Sequence, residues 1–98
     1  MKLQKEKVAM VKKIINQLPT DEEVWIDLMS RPYELFIYTK TGNNGEYDLR
    51  DFDTFNGVTE LQKVCNRIVK SYGKELHCID LKYFHPVYDF DQVTIYQH

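Results

Sequence analysis

Two strand-like segments are separated by a five-residue turn sequence, and this arrangement predicts an antiparallel hairpin. Glu34 to Lys40 and Glu46 to Phe52 are rich in β-branched and aromatic residues, which favour strands. Between them, Thr41 to Gly45 has the sequence TGNNG, whose glycines and asparagines tolerate positive φ angles. The chain is therefore predicted to contain an antiparallel sheet.

Three further segments are predicted to add strands to this hairpin. Val24 to Met29 is rich in β-branched and aromatic residues and would precede the hairpin to form a three-stranded meander. Leu76 to Tyr83 and Gln92 to Gln97 have a similar character. The stretch between the last two contains Pro86, which is typical of a loop.

Apolar residues spaced three and four apart predict two helices. The first spans Leu3 to Leu18 and stops before Pro19, because proline disfavours helical geometry in the residue preceding it. The second spans Thr59 to Tyr72, where Thr59 and Gln62 fit a capping box and Gly73 fits the left-handed residue that ends a helix. Its apolar side consists of Leu61, Val64, Cys65, Ile68 and Tyr72.

These elements predict an α+β fold in one domain over residues 1–98. The order is α-β-β-β-α-β with an extra C-terminal strand, and two layers are expected, with both helices on one face of an antiparallel sheet. With 43% hydrophobic and 29% charged residues, the composition is that of a globular protein.

Strict alternation along the strands assigns their side chains to two faces. The face toward the helices is predicted to carry aliphatic residues together with one tyrosine: Val24, Ile26, Leu28, Leu35, Ile37, Tyr47 and Leu49. The opposite face is predicted to carry aromatic and charged residues: Trp25, Asp27, Met29, Phe36, Tyr38, Lys40, Asp48, Arg50 and Phe52.

Aromatic residues on a sheet face turned away from the helices need a covering element. One hypothesis is that the segment Phe84 to Phe90 folds back across them as part of a single core. The other is that they form an interface, because aromatic residues and arginine are enriched in interface cores. The predicted partner-binding residues are Trp25, Met29, Phe36, Tyr38 and Arg50.

The sequence carries no recognisable catalytic motif, and no cofactor is expected. His77, Cys78 and His85 fit no zinc-ligand spacing, and adjacent strand residues point to opposite faces, so no metal site is predicted. A thiol or hydrolase-like enzyme using Cys78 and His85 stays open as an alternative, although no glycine turn follows to form an oxyanion hole.

Charge limits the other classes of partner. The net charge of −2 creates no field that attracts nucleic acid. The predicted helix, meander, helix order is that of double-stranded-RNA-binding domains, but the start of the second helix offers only Lys63, so nucleic acid is not an expected partner. No apolar run is long enough to span a bilayer, and two cysteines without a signal segment predict a cytoplasmic protein.

The leading prediction is a non-enzymatic interaction module that self-associates, as in a homodimer, or binds another protein through the aromatic sheet face. A second hypothesis is a small accessory or inhibitor protein of a mobile element, whose acidic surface meets a basic target. The carboxylates of that surface would be Asp48, Asp51, Asp53, Asp89 and Asp91.

Overall fold

The computed structural model describes residues 1–18, 32–85 and 87–98, which form two helices and a four-stranded antiparallel sheet. The helices are α1 (Lys5–Gln17) and α2 (Val58–Tyr72). The strands are β1 (Tyr33–Lys40), β2 (Tyr47–Asp53), β3 (Leu76–His85) and β4 (Asp89–Gln97), in the spatial order β2-β1-β3-β4. The predicted α+β class with an antiparallel sheet is confirmed, whereas the predicted strand Val24 to Met29 lies outside the described residues.

The predicted hairpin is β1 and β2, which pair antiparallel around the TGNNG turn. Gly45 adopts a φ of 77° in this turn, a conformation that residues other than glycine rarely adopt. The backbone N–H of Thr41 donates to the carbonyl oxygen of Glu46 and closes the loop at 3.0 Å. The turn chemistry read from the sequence therefore matches the observed backbone.

The C-terminal strands are longer than predicted and form a second hairpin. Phe84 pairs with Phe90 and His85 pairs with Asp89, so the ladder continues almost to the turn. The segment from Phe84 to Phe90 therefore extends the sheet at one end. The hypothesis that it folds back across the aromatic residues is wrong.

The core is one cluster of side chains from both helices and the sheet. Side chains of both helices join the same cluster as the inward residues of β1, β3 and β4, an arrangement compatible with both helices packing on one face. The buried members of this cluster are Leu3, Val11, Leu35, Ile37, Phe55, Leu61, Val64, Cys65, Ile68, Leu76, Ile79, Leu81 and Ile95.

The start of α2 differs from the predicted capping box. Gly57 occupies the N-cap, and no side chain caps the helix. Gln62 instead accepts a hydrogen bond from the backbone N–H of Leu3 at 2.8 Å and donates to the Met1 carbonyl at 3.0 Å. The side chain expected to cap α2 therefore ties the N-terminal segment of the chain to that helix.

A β-bulge at Arg50 changes the faces of β2. Ile37 pairs with Asp51 but Tyr38 pairs with Leu49, so Arg50 is the extra residue of the strand. The inserted residue shifts the alternation and turns Leu49 to the side of Tyr38, and Tyr47 follows it. The predicted helix-facing positions of Tyr47 and Leu49 are therefore wrong, and so is the predicted outer position of Asp48, which pairs with the buried Thr39.

The carboxylates of β2 are correspondingly turned toward α2. Arg67 of α2 donates to Asp53 at 2.9 Å, and the Tyr72 hydroxyl donates to Asp51 at 3.3 Å. Burial raises the pKa of the Tyr72 hydroxyl, and the Asp51 charge and hydrogen bond raise it further, whereas Arg50 lowers it. The positive charge of Arg50 thus acts on the end of α2.

Candidate interaction surface

The sheet face opposite the core cluster, here called the outer face, brings aromatic, apolar and polar side chains of all four strands together. Alternation and the observed register place these residues on it: Phe36, Tyr38, Tyr47, Leu49, Phe52, Cys78, Asp80, Lys82, Phe84, Phe90, Gln92 and Thr94. Phe36 and Cys78 are buried without belonging to the core cluster. The outer face therefore has packing of its own.

Phe36 is the centre of the aromatic half of the outer face. Its ring meets the Phe52 ring edge-on, with centroids 4.8 Å apart, a favourable aromatic geometry. The Lys82 ammonium lies 5.1 Å from the centroid of Phe36 and 4.5 Å from that of Phe90, within cation–π range of both rings. Phe36 is consequently only 9% exposed although it points away from the helices.

The apolar residues of the edge strand β2 remain exposed beside Phe36. Tyr47, Leu49 and Phe52 retain 49%, 42% and 52% of their accessible surface. Tyr47 also stacks on the ring of His77 at a centroid distance of 3.9 Å, and it meets Tyr38 edge-on at 5.7 Å. These contacts hold Tyr47 in place without burying it.

Asp80 organises the polar half of the outer face. Its carboxylate accepts hydrogen bonds from Thr94 Oγ1 at 2.7 Å and from Gln92 Nε2 at 2.8 Å. Gln92 Nε2 also donates to the Tyr38 hydroxyl. A shallow pocket of about 360 Å³ opens over this network, lined by Tyr38, Tyr47, His77, Cys78, Asp80, Gln92, Thr94 and Gln97.

The thiols are poorly suited to nucleophilic chemistry. The pKa of Cys78 is raised from 9.0 to about 12, chiefly by burial and also by the charge and hydrogen bond of Asp80. A thiol with so high a pKa stays protonated near neutral pH, whereas the thiolate is the nucleophile. His85 is seven residues along the same strand, roughly 23 Å away, so the structure does not bring the two predicted catalytic side chains together.

The five predicted partner-binding residues fall into three groups. Phe36 and Tyr38 lie on the outer face, as alternation predicts. Arg50 belongs to the bulge and acts on α2, and Trp25 and Met29 lie outside the described residues. Sequence reasoning missed Tyr47 and Leu49, because the sequence contains no signal for a bulge. It also missed Lys82, although Lys82 lies two residues after Asp80 in β3 and therefore shares its face.

The five carboxylates of the predicted acidic surface do not form one group. Asp51 and Asp53 contact α2 from the edge strand β2. Asp89 and Asp91 belong to β4, at the opposite edge of the sheet and roughly 14 Å away across the intervening strands. Asp91 also accepts a hydrogen bond from the Tyr83 hydroxyl at 3.3 Å. The carboxylates therefore divide between two edges.

Within residues 1–18, 32–85 and 87–98, no three His, Cys, Asp or Glu side chains are grouped so that they could hold a metal ion. In the same part of the chain, neither helix has the length and apolar character required to cross a membrane.

No family model matches the chain, and the searches of curated proteins and of solved structures also found no significant match.

Proposed function

We propose that the protein is a non-enzymatic interaction module whose outer face binds a second copy of the same chain. The observation that carries this proposal is the exposure of Tyr47, Leu49 and Phe52 in one row beside the buried ring of Phe36. Large apolar side chains scattered singly over a surface are ordinary, but a contiguous group with aromatic members is typical of an interface.

The area of the outer face supports a second copy as the partner. Four strands spaced about 4.8 Å apart, with about eight residues rising 3.3 Å each, cover roughly 500 Å². Two such faces packed together would bury on the order of 1,000 Å², which is near the lower limit for a specific interface. Two-sheet packing about 10 Å apart is a common arrangement of such faces. We therefore expect weak, reversible association.

The charge of the outer face is also compatible with self-pairing. Asp80 and Lys82 alternate at its centre and both already have partners, Thr94 and Gln92 for the carboxylate and two aromatic rings for the ammonium. A face with both signs of charge does not repel its own copy as a face of one sign would.

Sedimentation equilibrium of the wild-type chain and of a double variant, Leu49→Ser with Phe52→Ser, tests the proposal. Both residues are exposed, so the variant should stay folded, as judged by circular dichroism. We expect at least a thirtyfold weaker dimer, because losing a hot spot costs about 2 kcal/mol or more.

A matched control is Val87→Ser with Tyr88→Ser, which removes two still more exposed large side chains from the β3–β4 turn. This control should dimerise like the wild type. A wild-type chain that stays monomeric at several hundred micromolar would rule out the second copy. If the two double variants weakened dimerisation to the same extent, the outer face would not be the dimer contact.

A further inference from the structure

The two layers of the molecule carry opposite charge. The helical segments, residues 1–18 and 58–75, contain nine Lys and Arg residues against three Glu residues, a formal charge of +6. The described sheet and loop segments, residues 32–57, 76–85 and 87–98, contain three basic and eight acidic residues, a formal charge of −5. The small net charge of the chain therefore conceals a strong separation.

Most of the positive charge of the helical segments is exposed and unpaired. Lys2, Lys5, Lys12, Lys13, Lys63, Lys70 and Lys74 are all exposed, and none makes an ion pair with a described residue. The exposed Arg67 pairs with Asp53, and the half-buried Lys7 donates to the Thr94 carbonyl at 3.1 Å. Seven ammonium groups consequently face solvent without a described counter-charge.

Four of these lysines lie on the solvent sides of neighbouring helices. Lys5 and Lys13 are about 12 Å apart along α1, and Lys63 and Lys70 are about 10 Å apart along α2. The two helices contact each other, which brings their axes to roughly 8–10 Å. The four residues, here called the basic helical surface, thus span an area about 10 Å on a side.

We infer that the basic helical surface binds the phosphate backbone of double-helical nucleic acid without reading its sequence. A duplex presents one negative charge per 1.7 Å of its axis, so about six phosphates fall within the length of this surface. Lysines that neutralise phosphates supply essentially all of the affinity in sequence-independent binding.

The composition of the surface favours a duplex over a single strand or a membrane. Single strands are held by aromatic residues that stack on bases, and amphipathic helices enter membranes through large apolar side chains. Among the exposed large hydrophobic residues of the described chain, only Met1 belongs to the helical segments. The sequence-based expectation against nucleic acid depended on net charge and on the single lysine at the start of α2. Lys70 near the end of α2, together with Lys5 and Lys13 of α1, supplies the rest of the surface.

Fluorescence anisotropy with labelled 20-base-pair DNA and RNA duplexes tests the inference. Binding at 50 mM salt should be saturable and independent of sequence, and for four phosphate contacts it should weaken roughly a hundredfold by 200 mM salt. The double variant Lys13→Gln with Lys70→Gln should bind at least tenfold more weakly and lower the salt slope by about two. The DNA and RNA arms identify which duplex is preferred.

The matched control is Lys40→Gln with Lys82→Gln, which removes the same charge from the sheet strands β1 and β3. It should keep the wild-type affinity within about twofold. Equal losses in both variants would mean that net charge alone drives binding, and this would overturn the inference. So would the absence of binding at 50 mM salt, or binding to anionic lipid vesicles without binding to either duplex.

Discussion

Asp51 on β2 accepts a hydrogen bond from the hydroxyl of Tyr72 on α2, at 3.3 Å. The contact requires Asp51 to lie on the helix side of the sheet while Leu49, two residues earlier, lies on the outer side. In an unbroken strand these two positions share a face. The bulge at Arg50 is what allows β2 to direct carboxylates to the helix and apolar residues outward.

Deleting Arg50 should preserve the fold and the outer face. Without the extra residue, Leu49 still pairs with Tyr38 and Asp51 still pairs with Ile37, now in regular alternation. We expect a loss of less than about 1 kcal/mol in the free energy of unfolding, similar to ordinary surface changes. Denaturant titration measures it, and a loss above about 3 kcal/mol would mean that the bulge itself supports the fold.

Phe36 and Phe52 touch each other but should differ greatly in their effect on stability. Phe36 is 9% exposed and Phe52 is 52% exposed. Phe36→Ala should therefore cost about 3 kcal/mol or more, because it removes a buried ring and leaves a cavity. Phe52→Ala should cost about 1 kcal/mol or less. Similar losses in urea titrations of the two variants would contradict the described packing of the outer face.

Ile68 should be a principal contributor to the core. It is buried in the cluster between α2 and the sheet, so Ile68→Ala should cost roughly 2–5 kcal/mol. Lys70→Ala, two residues along the same helix and exposed, is the matched control and should change stability by about 0.5 kcal/mol or less. Chemical denaturation of both variants makes the comparison. Equal losses in the free energy of unfolding would mean that the side of α2 carrying Ile68 is not the side that packs against the sheet.

The stability of the protein should fall at alkaline pH because of Cys65. Burial raises the pKa of this thiol from 9.0 to about 12, with a smaller contribution from Asp53. Between these pH values the unfolded chain loses the thiol proton and the folded chain keeps it. The contribution of the Cys65 thiol to the free energy of unfolding is therefore fully present below pH 9 and declines as the pH rises toward 12. The decline should reach at most about 1.4 kcal/mol per pH unit.

Comparison with Cys65→Ala isolates this effect from the titration of lysines and tyrosines. The difference in unfolding free energy between wild type and variant should shrink between pH 8 and pH 11. A difference that stays constant over this range would mean that the Cys65 thiol titrates alike in the folded and unfolded chains. Slow labelling of native protein by iodoacetamide at pH 8, with fast labelling in denaturant, is expected for the same reason.

The sequence predicted the elements whose local signals agree with their tertiary environment. The turn at Thr41 to Gly45 has residues suited to its backbone, and the apolar side of α2 is the side that packs. The ends of β3 and β4 were harder to predict from the sequence. Cross-strand pairing of Phe84 with Phe90 extends the ladder beyond the strongest β-forming residues. Pairing partners are not visible in a local pattern.

Only part of the outer face was predicted, again because pairing between strands is not visible in a local pattern. Phe36 and Tyr38 follow simple alternation, but Tyr47 and Leu49 reach the outer face only through a bulge, which adds one residue without a sequence signature. The charge asymmetry between the helical and the sheet segments was missed for a different reason. Basic and acidic residues nearly cancel in the net charge, and the asymmetry is visible only when the helical and the sheet segments are summed separately.

This separation of charge should also govern the behaviour of the protein on ion-exchange resins. At pH 7, above its isoelectric point of about 5.9, a protein with evenly mixed charge would be held by an anion exchanger and would pass through a cation exchanger. A resin senses the nearest patch of charge more strongly than the total. The chain should therefore be retarded at low salt by both resins, presenting the sheet to one and the helices to the other.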